Sequence, residues 1–172
     1  MLEPLAHRKR GGRPGRRSLL VALVAAASTA LWGCSSTTGA RRLLLKVVVA
    51  ARSNNNSPIP VALVAVTDPK LFEKIAQMSA KQWFEQREQL RRDYPDGEAF
   101  TEWEWEYVPG QSPQPAVIEI DGRAAGAMIF ANYRSPGDHR YRLGPQRRMR
   151  IDLEEDDFIV SPLEAPDEQP DD

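Results

Sequence analysis

The chain of 172 residues has one cysteine, Cys34, and two histidines, His7 and His139. A disulfide framework is therefore excluded, and so is a metal site rich in cysteine or histidine. A Ser–His–Asp triad would have to rely on His139, and its neighbour Asp138 would point to the opposite face of a strand. No glycine-rich phosphate loop occurs, since the glycines sit at turns. No apolar run reaches the roughly 20 residues that a membrane-spanning helix needs. Beyond residue 33 there is no basic stripe with interleaved aromatics, so nucleic acid is not an expected partner. No internal repeat is visible.

What is present begins with a three-part opening. Arg8, Lys9, Arg10, Arg13, Arg16 and Arg17 form a basic stretch opposed only by Glu3, and Ser18 to Leu31 follows as an uncharged run of mostly Leu, Val and Ala. That length suits the apolar region of an export signal. The run ends in Leu31-Trp32-Gly33-Cys34, a lipobox pattern with Leu three positions before the cysteine and a small residue at the bond to be cut. Residues 1–33 are expected to be a lipoprotein signal peptide, and the thiol of Cys34 to accept diacylglycerol. Arg16-Arg17-Ser18-Leu19-Leu20 also resembles a twin-arginine export signal. The lipid chains of a mature lipoprotein contribute roughly 0.8 kcal/mol per buried CH₂, enough together for a stable anchor. Ser35 follows the cysteine, with no aspartate there to signal inner-membrane retention. The expected address is the periplasmic face of the outer membrane.

Removing six basic groups and one acid with residues 1–33 leaves 17 Lys and Arg against 23 Asp and Glu, a net charge of −6. From Asp152 to Asp172 there are ten acidic residues and no Lys or Arg, and residues 161–172 carry three prolines. Residues 161–172 read as a disordered acidic tail and residues 34–42 as a lipidated tether. Residues 43–160 are long enough for one domain with its own core.

Within that domain, Leu43–Ala50 and Val61–Val66 read as apolar strands buried on most sides, joined by an Asn/Ser/Pro loop. Asp68 can cap a helix with Pro69 at its first position, placing Leu71, Phe72, Ile75 and Met78 on one face. Ser79 and Gln82 match a capping box that opens a second helix to about Asp93, with Trp83, Phe84 and Leu90 on one side. Thr101 to Val108 alternates strictly, so Trp103, Trp105 and Tyr107 share one face and Glu102, Glu104 and Glu106 the other. The tryptophans are expected to be buried between sheet and helices, and the glutamates to be wet. Further strands fall at Val117–Ile120, Ala125–Tyr133, His139–Leu143, Met149–Leu153 and Phe158–Val160. Seven or eight short strands separated by turns make a mainly β sandwich with a helical insertion after the second strand.

Several of these pieces, taken together, resemble a known family. Asn54-Asn55-Asn56-Ser57-Pro58-Ile59-Pro60-Val61, Leu71-Phe72, Val108-Pro109-Gly110, Ala127 through Arg134 and His139-Arg140-Tyr141-Arg142 resemble TssJ, the outer-membrane lipoprotein of type VI secretion. The resemblance implies a transthyretin-like β-sandwich that is not an enzyme and needs no cofactor. It implies a partner, the periplasmic domain of a TssM-like inner-membrane protein, within a multi-subunit complex. It also implies a contact surface on the loop joining the first two strands, here Arg52 to Pro58: Arg52, Asn54, Asn55, Asn56, Ser57 and Pro58. Two other readings stand beside it. A carbohydrate- or peptidoglycan-binding lipoprotein would use Trp103, Trp105 and Tyr107 as an exposed stacking platform. An envelope hydrolase would need acidic groups converging in a pocket.

Overall fold

The computed structural model describes residues 39–95 and 97–164. The expected signal peptide, Cys34 and the tail beyond Glu164 lie outside the described residues. The strands are β1 (Arg41–Val49), β2 (Ile59–Val66), β3 (Phe100–Tyr107), β4 (Ala116–Ile120), β5 (Gly126–Ala131), β6 (Arg140–Arg142), β7 (Arg148–Leu153) and β8 (Phe158–Pro162). Helices α1 (Pro69–Ala76) and α2 (Ala80–Asp93) follow β2. The first strand begins two residues before the expected domain start, and the last takes in Ser161 and Pro162 from the expected tail.

Both helix starts follow from local chemistry. Asp68 accepts the Leu71 N–H at 2.7 Å, with Pro69 in the first turn where its missing donor costs nothing. Ser79 and Gln82 exchange the two bonds of a capping box.

The strands form two four-stranded sheets, ordered β4-β1-β7-β8 and β3-β2-β5-β6. All pairings are antiparallel except β1 with β7. Between the sheets lies one core, including Leu43, Leu45, Ile59, Leu63, Ile129, Met149 and Ile151. A second core lies between the sheet β3-β2-β5-β6 and the helices, where Phe72, Ile75, Trp83 and Leu90 meet Val64, Phe100 and Phe130. Trp83 stacks on Phe130 at 5.4 Å and meets Phe100 edge-on at 6.0 Å. Each fully buried side chain of this size contributes roughly 1.5–3 kcal/mol relative to exposure. Gly126 is required by the second core, because a Cβ there would lie 2.3 Å from the Phe72 ring.

Two expectations are corrected. The first concerns β1, which is not buried on most sides. Leu43, Leu45, Val47 and Val49 face in, while Arg42 and Lys46 are exposed and Leu44 and Val48 are half-buried. Among the described residues no helix covers that side. The second concerns β3, whose alternation is as expected but whose faces are exchanged. Trp103 and Trp105 are only partly buried and pack against the core between the sheets. Glu102 and Glu104 instead face α2, where Arg91 and Arg87 bind them. The reason is that alternation separates two faces without saying which neighbour each meets, and arginines on α2 suit carboxylates beneath them. As β3 ends its sheet, its tryptophans also lack a neighbour on one side.

Candidate functional site

The segment joining β1 and β2 is built around an unusual backbone. Asn54, Asn55 and Asn56 have φ of 49°, 52° and 58°. They form one left-handed turn within Ser53–Asn56. For most L-residues this conformation costs roughly 1–2 kcal/mol each, and asparagine tolerates it best after glycine. The turn is closed by Ser53 N–H to Ala50 O (3.2 Å) and Ser57 N–H to Asn54 O (3.2 Å).

Asn54 locks the turn in place. Its side-chain N–H donates to Pro58 O at 2.9 Å, and its Oδ1 accepts the backbone N–H of Arg134 at 2.7 Å. The residue is 2% exposed, and Ser53 and Ser57 are buried with it. The expected contact residues therefore divide in two. Asn54 and Ser57 hold the loop from within, whereas Arg52, Asn55, Asn56 and Pro58 are exposed at its surface. Arg52 lies 3.6 Å from Glu155, but both side chains are well solvated and the pair contributes little.

Neighbouring segments brace this end of the sandwich. Gly110 N–H donates to Ala50 O at 3.1 Å, bringing the Val108–Gly110 turn alongside. On the other flank, Tyr133 O–H donates to Glu154 O at 3.2 Å. Burial and the nearby Asp157 and Glu154 carboxylates push its phenol well above its ordinary value. A shallow open groove of about 570 Å³ runs beside the loop, lined by Asn54, Pro58, Pro60, Phe84 and Arg134 among others. Arg134, Glu155 and Phe84 are site residues that sequence reasoning missed. Their separation from the loop along the chain hid them. The run of three asparagines was the one local signal that the loop holds a special backbone.

Next to the groove, Ser135, His139 and Asp157 come together, although Asp157 and not Asp138 is the carboxylate. His139 is buried with φ 46°, its Nδ1 lies 2.9 Å from Asp157 Oδ1, and its Nε2 lies 2.9 Å from the carbonyl oxygen of Ser135. The Ser135 hydroxyl donates to Asp156 O and lies 3.5 Å from Nε2. The hydroxyl is thus engaged elsewhere and the imidazole faces a carbonyl, so this trio clasps two loops and does not activate a nucleophile. Glu102 and Glu104 are bound by Arg91 and Arg87. Trp103 and Trp105 do not stand out as a stacking platform. Among the described residues no three His, Cys, Asp or Glu side chains converge on a metal position.

No protein-family model matches the sequence, and no curated protein matches it either. Solved structures do resemble the fold, among them three with a TM-score above 0.5. One is the type VI secretion lipoprotein TssJ1 from Pseudomonas aeruginosa, with TM-score 0.54 and 15% identity, covering 74% of this chain and 99% of that one. A second is Lip from Serratia marcescens, a membrane-bound component of the type VI secretion system, with TM-score 0.52 and 13% identity over 70% and 97% of the two chains. A third is a chain of a type VI membrane complex, with TM-score 0.51 and 15% identity over 72% and 98%. At these identities the likeness is one of architecture: this chain has a TssJ-like fold.

Proposed function

We propose that the chain is a lipid-anchored, non-enzymatic subunit of a type VI secretion membrane complex, holding the periplasmic domain of a TssM-like inner-membrane protein at the outer membrane. The observation that supports the reading is the length of β1, which would separate the two proposed attachment points. Strand β1 starts at Arg41, seven residues after Cys34, and runs 9 residues to the loop. At roughly 3.3 Å per residue that is about 30 Å. A lipid on Cys34 and a partner on Arg52–Pro58 would therefore pull on opposite ends of one strand. That strand is hydrogen-bonded on both sides, to β4 and β7, which suits a load-bearing link. The TssJ-like fold supports the same reading.

Replacing Asn55 and Asn56 together by glycine tests the docking half. Glycine keeps the left-handed backbone and removes both exposed amides. The expected result is an unchanged melt and unchanged lipidation, with the inner-membrane partner lost from the co-purified complex. Undiminished co-purification would remove the loop from the interface. The anchoring half is tested by fatty-acid labelling, which Cys34→Ala is expected to abolish.

A further inference from the structure

Among the described residues the helices cover only the sheet β3-β2-β5-β6, which leaves the outer face of the sheet β4-β1-β7-β8 bare. Register sets its outward residues in rows. Val117, Leu44 and Arg148 lie side by side, then Lys46 and Arg150, then Val48 and Asp152, with Ile159 beyond. Val117 is 54% exposed and Ile159 61%, and they are two of the four large apolar side chains in the exposed class among the described residues. The charge of this face also differs from that of the rest of the chain. Arg42, Lys46, Arg148 and Arg150 stand against Glu119 and Asp152, a surplus of two positive charges on a chain that carries −6 from Cys34 onward. Among the described residues Lys46 and Arg148 have no carboxylate within 4.0 Å. The exposed side of α2, by contrast, is polar throughout, with Lys81, Gln82, Glu85, Gln86 and Gln89.

We infer that this bare face lies against an anionic phospholipid surface. The inference rests on the lipid anchor of the proposed function. Only Ser-Ser-Thr-Thr-Gly-Ala separates Cys34 from Arg41, the first residue of the sheet. Seven residues reach at most about 25 Å, so the sheet is held within that distance of the lipid. At such range, apolar side chains enter the headgroup boundary while Lys and Arg extend their charged ends to phosphate oxygens. Basic residues beside an anchor add electrostatic attraction to anionic lipid. With the face so engaged the helices point to the periplasm. The Arg52–Pro58 loop, at the end of β1 and not on its outer face, remains free for a partner.

The test uses the full-length protein, processed in cells and reconstituted in vesicles of phosphatidylethanolamine and phosphatidylglycerol. Cys34 is the only cysteine and its thiol is consumed by the lipid, so Val117→Cys or Ile159→Cys supplies the one thiol for an environment-sensitive fluorophore. Gln86→Cys on α2 serves as the control. The expected result is blue-shifted emission at 117 and 159 and several-fold protection from an aqueous quencher, with neither at 86. Lys46→Glu with Arg148→Glu is expected to remove the protection while leaving the loop's partner bound. Equal quenching at 117, 159 and 86 would overturn the inference and leave the docking proposal standing. Protection that follows protein density in neutral vesicles would assign the face to a second copy and also overturn it. Mass spectrometry of the Cys34 peptide without diacylglycerol would overturn the anchor, and this inference with it.

Discussion

In the sheet β3-β2-β5-β6, strand β2 is buried at seven of its 8 positions, because one face meets the other sheet and the other meets the helices. In the sheet β4-β1-β7-β8, strand β1 buries only alternate residues. The first sheet packs on both faces, whereas the second packs on one and leaves the other free for charged and exposed apolar side chains. Surface changes on the singly covered sheet therefore leave the central layer intact.

The largest expected effect lies in the central layer. Trp83→Ala should cost about 3–5 kcal/mol in thermal or denaturant unfolding, as it removes a side chain 0% exposed between two aromatic rings. Lys46→Ala on the bare face should stay within about 0.5 kcal/mol. Similar costs for the two would show that the bare face is covered in the folded monomer, and would break the comparison.

The loop offers a second contrast on a smaller scale. Asn54→Ala leaves the Arg134 N–H and the Pro58 carbonyl without their partner and places alanine in a left-handed conformation, for about 2–4 kcal/mol. Asn56→Gly should be close to neutral in the same melt, since glycine accepts that backbone. Equal penalties would mean that Asn56 is also structural, which would weaken its assignment to the contact surface.

The smallest effect concerns Tyr107, at the end of β3 facing the core between the sheets. Burial pushes its phenol up to about 12 from 10.0. Stability from this group is complete below pH 10, where both states keep the proton. It is lost as pH rises toward 12, because the unfolded chain ionises first. Ultraviolet titration should show Tyr107 and Tyr133 both ionising late, and a Tyr107→Phe variant should lose one of those two late steps.

Much of the fold was legible because its signals are local. The Asp68 and Ser79–Gln82 caps act within three residues, and the strand period of β3 is visible in eight. What was not legible depends on distant neighbours. The side of β3 that meets the helix is decided by Arg87 and Arg91, and the bareness of β1 by where the helices land. At the loop, composition indicated a connection but not its left-handed turn. Asn54 is spent on a backbone group 80 residues away, so nothing in its own segment separates it from Asn55 and Asn56. The His139–Asp157 pair was hidden for the same reason, since 18 residues separate the two along the chain.

The central claim is that the exposed half of the Arg52–Pro58 loop is the docking surface. Photo-crosslinking in cells that assemble the membrane complex tests it most directly. A photoreactive amino acid would replace Asn56 in one strain, Lys46 on the bare sheet in a second and Gln86 on α2 in a third. The account predicts a crosslink to the inner-membrane partner from position 56 and none from 46 or 86. A partner crosslink from 46 or 86 with none from 56 would contradict it.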